Sequence, residues 1–330
     1  RLNTLQRDKN KLQAQHLGLI EQQKEVLETK VVERTTEIEA QRQEILTQNE
    51  ELKQQQEEVE AQRDFIGKQN EELHEYTVRI TDSIRYAQTI QEAVLPTEEK
   101  LSQAFDNHFV FFKPKDIVSG DFFWMLQMDD TTYIAVADCT GHGVPGAFMS
   151  MIGISLLNEI VLGKEATSPK DILTQLNIKI RSALKQDQDK NHDGMDIAIC
   201  AIVEGNGTSS VCFSGAKNGI IMCLPPHFEP TRIKGDRKLI GGFKQSAEKV
   251  FTEQTWQLPK GSLLYMGTDG WADQGNPEGK KISTSKLMAT IQDIVQLPLE
   301  TQREILKTTL AEHQKNALQR DDITILGFKM

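Results

Sequence analysis

The chain has 330 residues, 26% of them charged and 38% hydrophobic, with a formal charge of −10. That length corresponds to about two domains. The acidic balance excludes nucleic acid as the main partner, because phosphate binding needs a basic face. No window approaches about 18 consecutive apolar residues, so no membrane contact is expected within this segment.

The first residue is Arg1, followed by a Gln/Glu-rich stretch without an apolar signal-peptide core. The chain therefore reads as cut from a longer protein. Cys139, Cys200, Cys212 and Cys223 never form a C-x-x-C pair, and three of them sit in apolar runs. Reduced thiols and a cytoplasmic location are expected for the segment. Tethering of the full-length protein by a missing N-terminal region stays open.

Residues 1 to about 95 contain Gly18, Gly67 and no proline. From Val31 an apolar residue returns every seven: Ile38, Ile45, Leu52, Val59, Ile66, Leu73, Ile80. Heptads wind helices into a left-handed coiled coil, so residues 1–79 are predicted to form a parallel coil that dimerises the chain and transmits a signal. The second seam position is polar. It is Gln41, Gln48, Gln55, Gln62 and Gln69 in one register, or Arg42, Asn49, Gln56, Arg63 and Asn70 in the other. Leu5, Leu12, Leu19 and Val26 form an earlier stripe out of phase with the later one, which predicts a register shift between Val26 and Val31.

Residues 80–103 read as a linker helix and connection. Ile80, Ile84, Ala87 and Val94 fall on one helical face, with Tyr76, Tyr86 and Ile90 beside it, and Pro96 stops the helix. The face is predicted to pack on the following domain, with Ile80 and Ile84 as switch residues.

Residues 104–330 read as α+β. Strand-like runs are His108–Lys113, Phe122–Met128, Tyr133–Asp138, Asp196–Val203, Ser209–Phe213, Ile220–Leu224, Leu263–Gly267 and Ile323–Phe328. Helical patterns cover Val144–Leu162, Pro169–Lys185 and Thr284 to about Gln314. Strands in runs and helices in pairs predict a layered antiparallel sandwich rather than βαβ units.

Acids stand at the ends of the apolar runs: Asp121, Asp138, Asp269 and the pair Asp321-Asp322. A buried acid is costly unless paired or metal-bound. Turn chemistry explains each one singly. Four together, without a Cys/His set, suit a hard divalent ion. Gly141-His142-Gly143-Val144-Pro145-Gly146 satisfies G-x-G-x-x-G. A dinucleotide site would need a second strand ending in an acid about 20 residues on, and here a helical run continues instead.

Val118-Ser119-Gly120-Asp121, Asp138-Cys139-Thr140-Gly141-His142-Gly143, Thr268-Asp269-Gly270 and Asp321-Asp322-Ile323-Thr324 occur in that order. Together with Phe213-Ser214-Gly215-Ala216-Lys217-Asn218, Ile240-Gly241-Gly242 and the helix from Ser83 to Pro96, they resemble the PPM-type, SpoIIE-like metal-dependent serine/threonine phosphatases of bacteria over residues 80 to 330.

The resemblance implies a two-layer antiparallel β-sandwich flanked by helices. It implies two divalent ions, Mn²⁺ or Mg²⁺, bridged by Asp138. Asp269 and Asp321 would complete one ion's ligands. Asp121 and the backbone carbonyl of Cys139 would serve the other. A water held between the ions would attack phosphorus in line. The motif favours Asp321 over Asp322 as ligand. Certain relatives carry a His, a candidate general acid, where this chain has Thr140, and His142 is expected to be structural. Lys113 and Lys115 are the candidate phosphate-side cations. The implied substrate is a phosphorylated regulatory protein of the anti-anti-sigma type, with control from an upstream sensor through the coil. The alternatives are a catalytically silent phosphoprotein-binding module and a dimeric coiled-coil scaffold.

Overall fold

The computed structural model describes residues 2–188, 191–242 and 249–330. The chain divides into two compact units, the first reaching Arg79 and the second running from Ile80 to Met330.

The first unit is helical over its described residues. It belongs to α1 (Leu2–Val94), which contains no proline to interrupt its backbone hydrogen bonds. Val31, Ile38, Ile45, Leu52, Val59, Ile66 and Leu73 are each more than half exposed in the single chain.

In the second unit, α1 continues to Val94 and α2 (Glu98–Ala104) follows, capped by the Thr97 hydroxyl. Among the described residues eleven strands build two sheets whose ladders are all antiparallel. One sheet has the order β2 (Phe122–Met128), β3 (Thr131–Cys139), β4 (Gly194–Glu204), β5 (Thr208–Ala216), β9 (Glu253–Pro259), with the short β8 (Ile240–Gly241) on β4. The other has the order β1 (His108–Lys113), β11 (Ile323–Lys329), β10 (Leu263–Gly267), β6 (Ile220–Cys223), β7 (Pro230–Ile233).

The sheets share one core. Val136 and Ile199 of the first sheet join Leu264, Met266, Leu326 and Phe328 of the second. The alternate residues Leu263, Tyr265, Ile323 and Ile325 face a second cluster. There they meet Ile291 and Ile294 of α6 (Thr284–Ile294) and Leu306 and Leu310 of α7 (Leu299–Gln314). A strand buried on both faces reads as an unbroken apolar run, which is the pattern of Leu263–Gly267. Helices α3 (Gly143–Leu162) and α4 (Pro169–Ala183) contribute Leu157, Ile160, Ile172 and Leu176 to the shared core. Among the described residues α3 is long and apolar enough to cross a membrane, by length and composition; half of that stretch is buried in the domain.

Three expectations change. The pattern from Thr284 to Gln314 is two helices, broken before Pro298, which disfavours helical geometry at the residue preceding it. Strands β7 and β9, polar and near sheet edges, carry no apolar alternation to announce them. The buried face at the end of α1 is also not the apolar one. Ile80, Tyr86, Ile90 and Val94 are exposed, whereas Gln91 and Leu95 are buried and Ile84 is half-buried. Gln91 is tolerated there because its amide is fully engaged in hydrogen bonds.

Candidate active site

Antiparallel pairing sets the end of one strand beside the start of its neighbour. Phe122 of β2 pairs with Ala137 of β3, so Asp121 and Asp138 share one end of the first sheet. Gly267 of β10 pairs with Ile325 of β11, so Asp269 and the Asp321-Asp322 pair share one end of the second.

Side chains knit the two ends together. The Thr268 and Thr324 hydroxyls both donate to Asp121 Oδ2, at 2.6 and 2.8 Å. Asp322 Oδ2 accepts from the Gly120 amide and Oδ1 from the Lys115 amide, each at 2.7 Å. The Asp322 carboxylate thus pins the loop ahead of Asp121, while Asp321 stays half-buried beside the other acids. Close backbone approach requires glycine at two places. A Cβ on Gly120 would collide with the Gly141 carbonyl oxygen, and one on Gly270 with the Asp322 carbonyl oxygen.

The electrostatics of this cluster are unfavourable as they stand. Burial pushes the Asp138 carboxyl up to about 8, reinforced by Asp269, Asp321, Asp196 and Asp322. Asp121 is raised well above the carboxylate range by burial and then by Asp138. Asp269 is raised by burial, then by Asp273 and Asp321, against the opposing charges of Lys281 and Arg320. Among the described residues none donates a hydrogen bond to the Asp138 or Asp269 carboxylate. Among the described residues no three His, Cys, Asp or Glu side chains already form a closed metal cage. The donors are all oxygen, crowded and only partly compensated, a set that fits hard divalent cations rather than zinc or copper.

Two neighbours escaped the sequence reading. Asp196 of β4 is directly opposite Asp138 of β3. Lys217 lies 3.6 Å from the Asp196 carboxylate. Burial raises Asp196, and Lys217 opposes the shift. Lys217 is therefore a cation beside the acids. Of the two predicted cations, Lys113 donates to Gln314 at 3.5 Å, and Lys115 meets the site through its backbone amide. His142, at the start of α3, pairs with Asp116 at 2.6 Å. Burial, with help from Asp138, raises the Cys139 thiol well above its ordinary value, so this side chain stays protonated while its carbonyl sits over Gly120.

Two antiparallel sheets around a shared core, flanked by helices and with acids gathered at one end, define the PP2C-type, or PPM, serine/threonine protein phosphatases. The chain belongs to the SpoIIE family: the model for stage II sporulation protein E matches residues 128–330. The SiaA PP2C domain of Pseudomonas aeruginosa is 32% identical, with 77% of this chain and 98% of that one covered and a TM-score of 0.68. The Bacillus subtilis SpoIIE PP2C domain with a fragment of its regulatory domain is 16% identical, with 68% and 62% covered and a TM-score of 0.53. The RsbU and RsbW domains of a Mycobacterium tuberculosis protein are 16% identical, with 68% and 59% covered and a TM-score of 0.53. The last two likenesses concern the fold alone. No curated protein sequence matches the chain.

Proposed function

We propose that the chain hydrolyses phosphoserine or phosphothreonine on a regulatory protein, using two divalent ions, Mn²⁺ or Mg²⁺. Asp138, Asp269, Asp321, Asp121 and the Cys139 carbonyl hold them. The observation that carries this reading is Asp138, half-buried beside four other carboxylates and given no hydrogen bond on its carboxylate by any described residue. Such a group demands positive charge. Bound ions supply Lewis acidity, which turns water into a nucleophile at neutral pH and offsets phosphoryl charge.

The chain's own groups do the positioning. Thr268 and Thr324 fix Asp121, and Asp322 fixes the Gly120 loop. Lys217, held by Asp196, adds a positive charge at the rim for the phosphoryl oxygens. We assign control to the helix. A second copy covers the exposed heptad seam of the first unit, forming a homodimer, and the end of α1 acts on the site loop through Gln91. The four thiols are unpaired, in keeping with a cytoplasmic setting for the segment.

The test is hydrolysis of a phosphoserine peptide with and without Mn²⁺, in the wild type and in Asp269→Asn. Turnover that needs the metal and vanishes in the variant is expected. A folded wild type that turns over nothing at any Mn²⁺ concentration would leave a silent module.

A further inference from the structure

Beside Asp269 lies a cavity of ≈ 80 Å³ between β6, β7, β10 and α6. Ile220, Leu287 and Ile291 form apolar walls, and Asn218, Arg232 and Asp269 supply the polar lining. The volume is far below the several hundred Å³ of a nucleotide or cofactor pocket, and it suits a single side chain.

Asn218 gives the cavity its direction. Its Oδ1 accepts from the Gly219 amide at 2.8 Å, which fixes the orientation of the amide group. Its Nδ2 is buried and has no acceptor. A buried donor left unpaired costs about 1–3 kcal/mol, so the position calls for an acceptor supplied from outside. Lys217, the preceding residue, reaches Asp196 opposite Asp138. One short connection between β5 and β6 thus offers a cation to the carboxylate cluster and an amide donor to the cavity. Arg232 is exposed and belongs to the same lining, and no described carboxylate pairs with it.

We propose that this cavity is the subsite for the residue next to the phosphorylated one. A medium-sized apolar side chain enters between Leu287 and Ile291. The backbone carbonyl of that residue accepts from Asn218 Nδ2, and Arg232 faces acidic groups further along the peptide. The inference rests on the phosphatase reading and adds to it a sequence preference: leucine or valine beside the phosphoserine.

Two measurements on the full chain test it. The first is binding of fluorescein-labelled peptides, followed by anisotropy. They carry a non-hydrolysable phosphoserine analogue flanked by Leu or by Gly. The Leu peptide is expected to bind roughly tenfold more tightly, the scale of a few buried methylenes. Leu287→Trp, which fills the cavity, should bring the ratio close to one, whereas Asn218→Ala removes a contact to backbone and should weaken both peptides alike. Equal binding of both peptides by the wild type, an unchanged ratio in Leu287→Trp, or undiminished binding of both peptides by Asn218→Ala overturns the subsite. The second is Mn²⁺-dependent turnover of p-nitrophenyl phosphate by the wild type. A Leu preference without any turnover would sink the phosphatase reading and leave the subsite standing. Turnover without a preference would do the reverse.

Discussion

Gln91 engages both backbone groups of Ser119: its Oε1 accepts from the Ser119 amide at 3.0 Å, and its Nε2 donates to the Ser119 carbonyl at 2.7 Å. The same Nε2 reaches the Ser150 hydroxyl of α3 at 2.8 Å. Ser119 is two residues from Asp121, and α3 begins beside Gly141, so one side chain joins the helix end to both halves of the site loop. Gln91→Leu should therefore lower turnover at limiting Mn²⁺ at least tenfold, with partial recovery at saturating metal. Gln91→Glu keeps one acceptor and should fall between the two. A Mn²⁺ titration of kcat that matches wild type in a folded Gln91→Leu protein would remove Gln91 from the control path.

Asp321 and Asp322 are adjacent but make different contacts: the Asp321 carboxylate accepts only the neighbouring Asp322 amide among the described residues. Asp322 accepts two backbone amides, so Asp322→Asn should cost about 1–3 kcal/mol of stability, metal or no metal. Asp321→Asn should leave the metal-free melting temperature near wild type and abolish the stabilisation by Mn²⁺. Calorimetry with EDTA and with Mn²⁺ separates the two.

Gly270 follows Asp269 and faces the Asp322 carbonyl. Gly270→Ala forces these segments apart. A loss of at least about 2 kcal/mol, read from urea unfolding, is expected with the loss of turnover.

The raised Asp138 carboxyl has a pH signature. Its folded-state value of about 8 lies above the unfolded one, so the folded chain binds the extra proton. Without metal, stability from this group is greatest at low pH and falls as pH rises from about 4 to about 8. Between pH 5.5 and 8 in EDTA the wild-type melting temperature should fall by roughly 4 °C or more relative to Asp138→Asn. Parallel pH profiles for the two proteins would refute the assignment.

Much of the fold is written locally. The runs His108–Lys113, Phe122–Met128 and Leu263–Gly267 match β1, β2 and β10 residue for residue. Acids ending apolar runs likewise pointed to Asp121, Asp138, Asp269 and Asp321, which the structure brings to one end of the sheets. Asp196 was hidden for a physical reason. It begins a predicted strand without a glycine beside it, and only the β3–β4 register, a non-local property, sets it opposite Asp138. Lys217 stands in a segment that carries the resemblance, but its place beside the acids shows only through its pairing with Asp196. Gln91 was missed because helical periodicity credits apolar side chains alone, whereas this buried face is centred on an amide.

The order of strands bears on how the domain is made. The chain from β2 through β5 is a succession of sequence neighbours, apart from the α3–α4 excursion. The other sheet seats β11 between β1 and β10, and Thr324 meets Asp121 across 203 residues. Contacts closed over such a span are slow to form, since the entropy of a long loop must be overcome first. The β2–β5 layer is thus set to gain protection from hydrogen exchange early in refolding. Asp121 receives its two hydroxyls, from Thr268 and Thr324, only once the distant segments at β10 and β11 are in place, so the site is expected to close after the β2–β5 layer has formed.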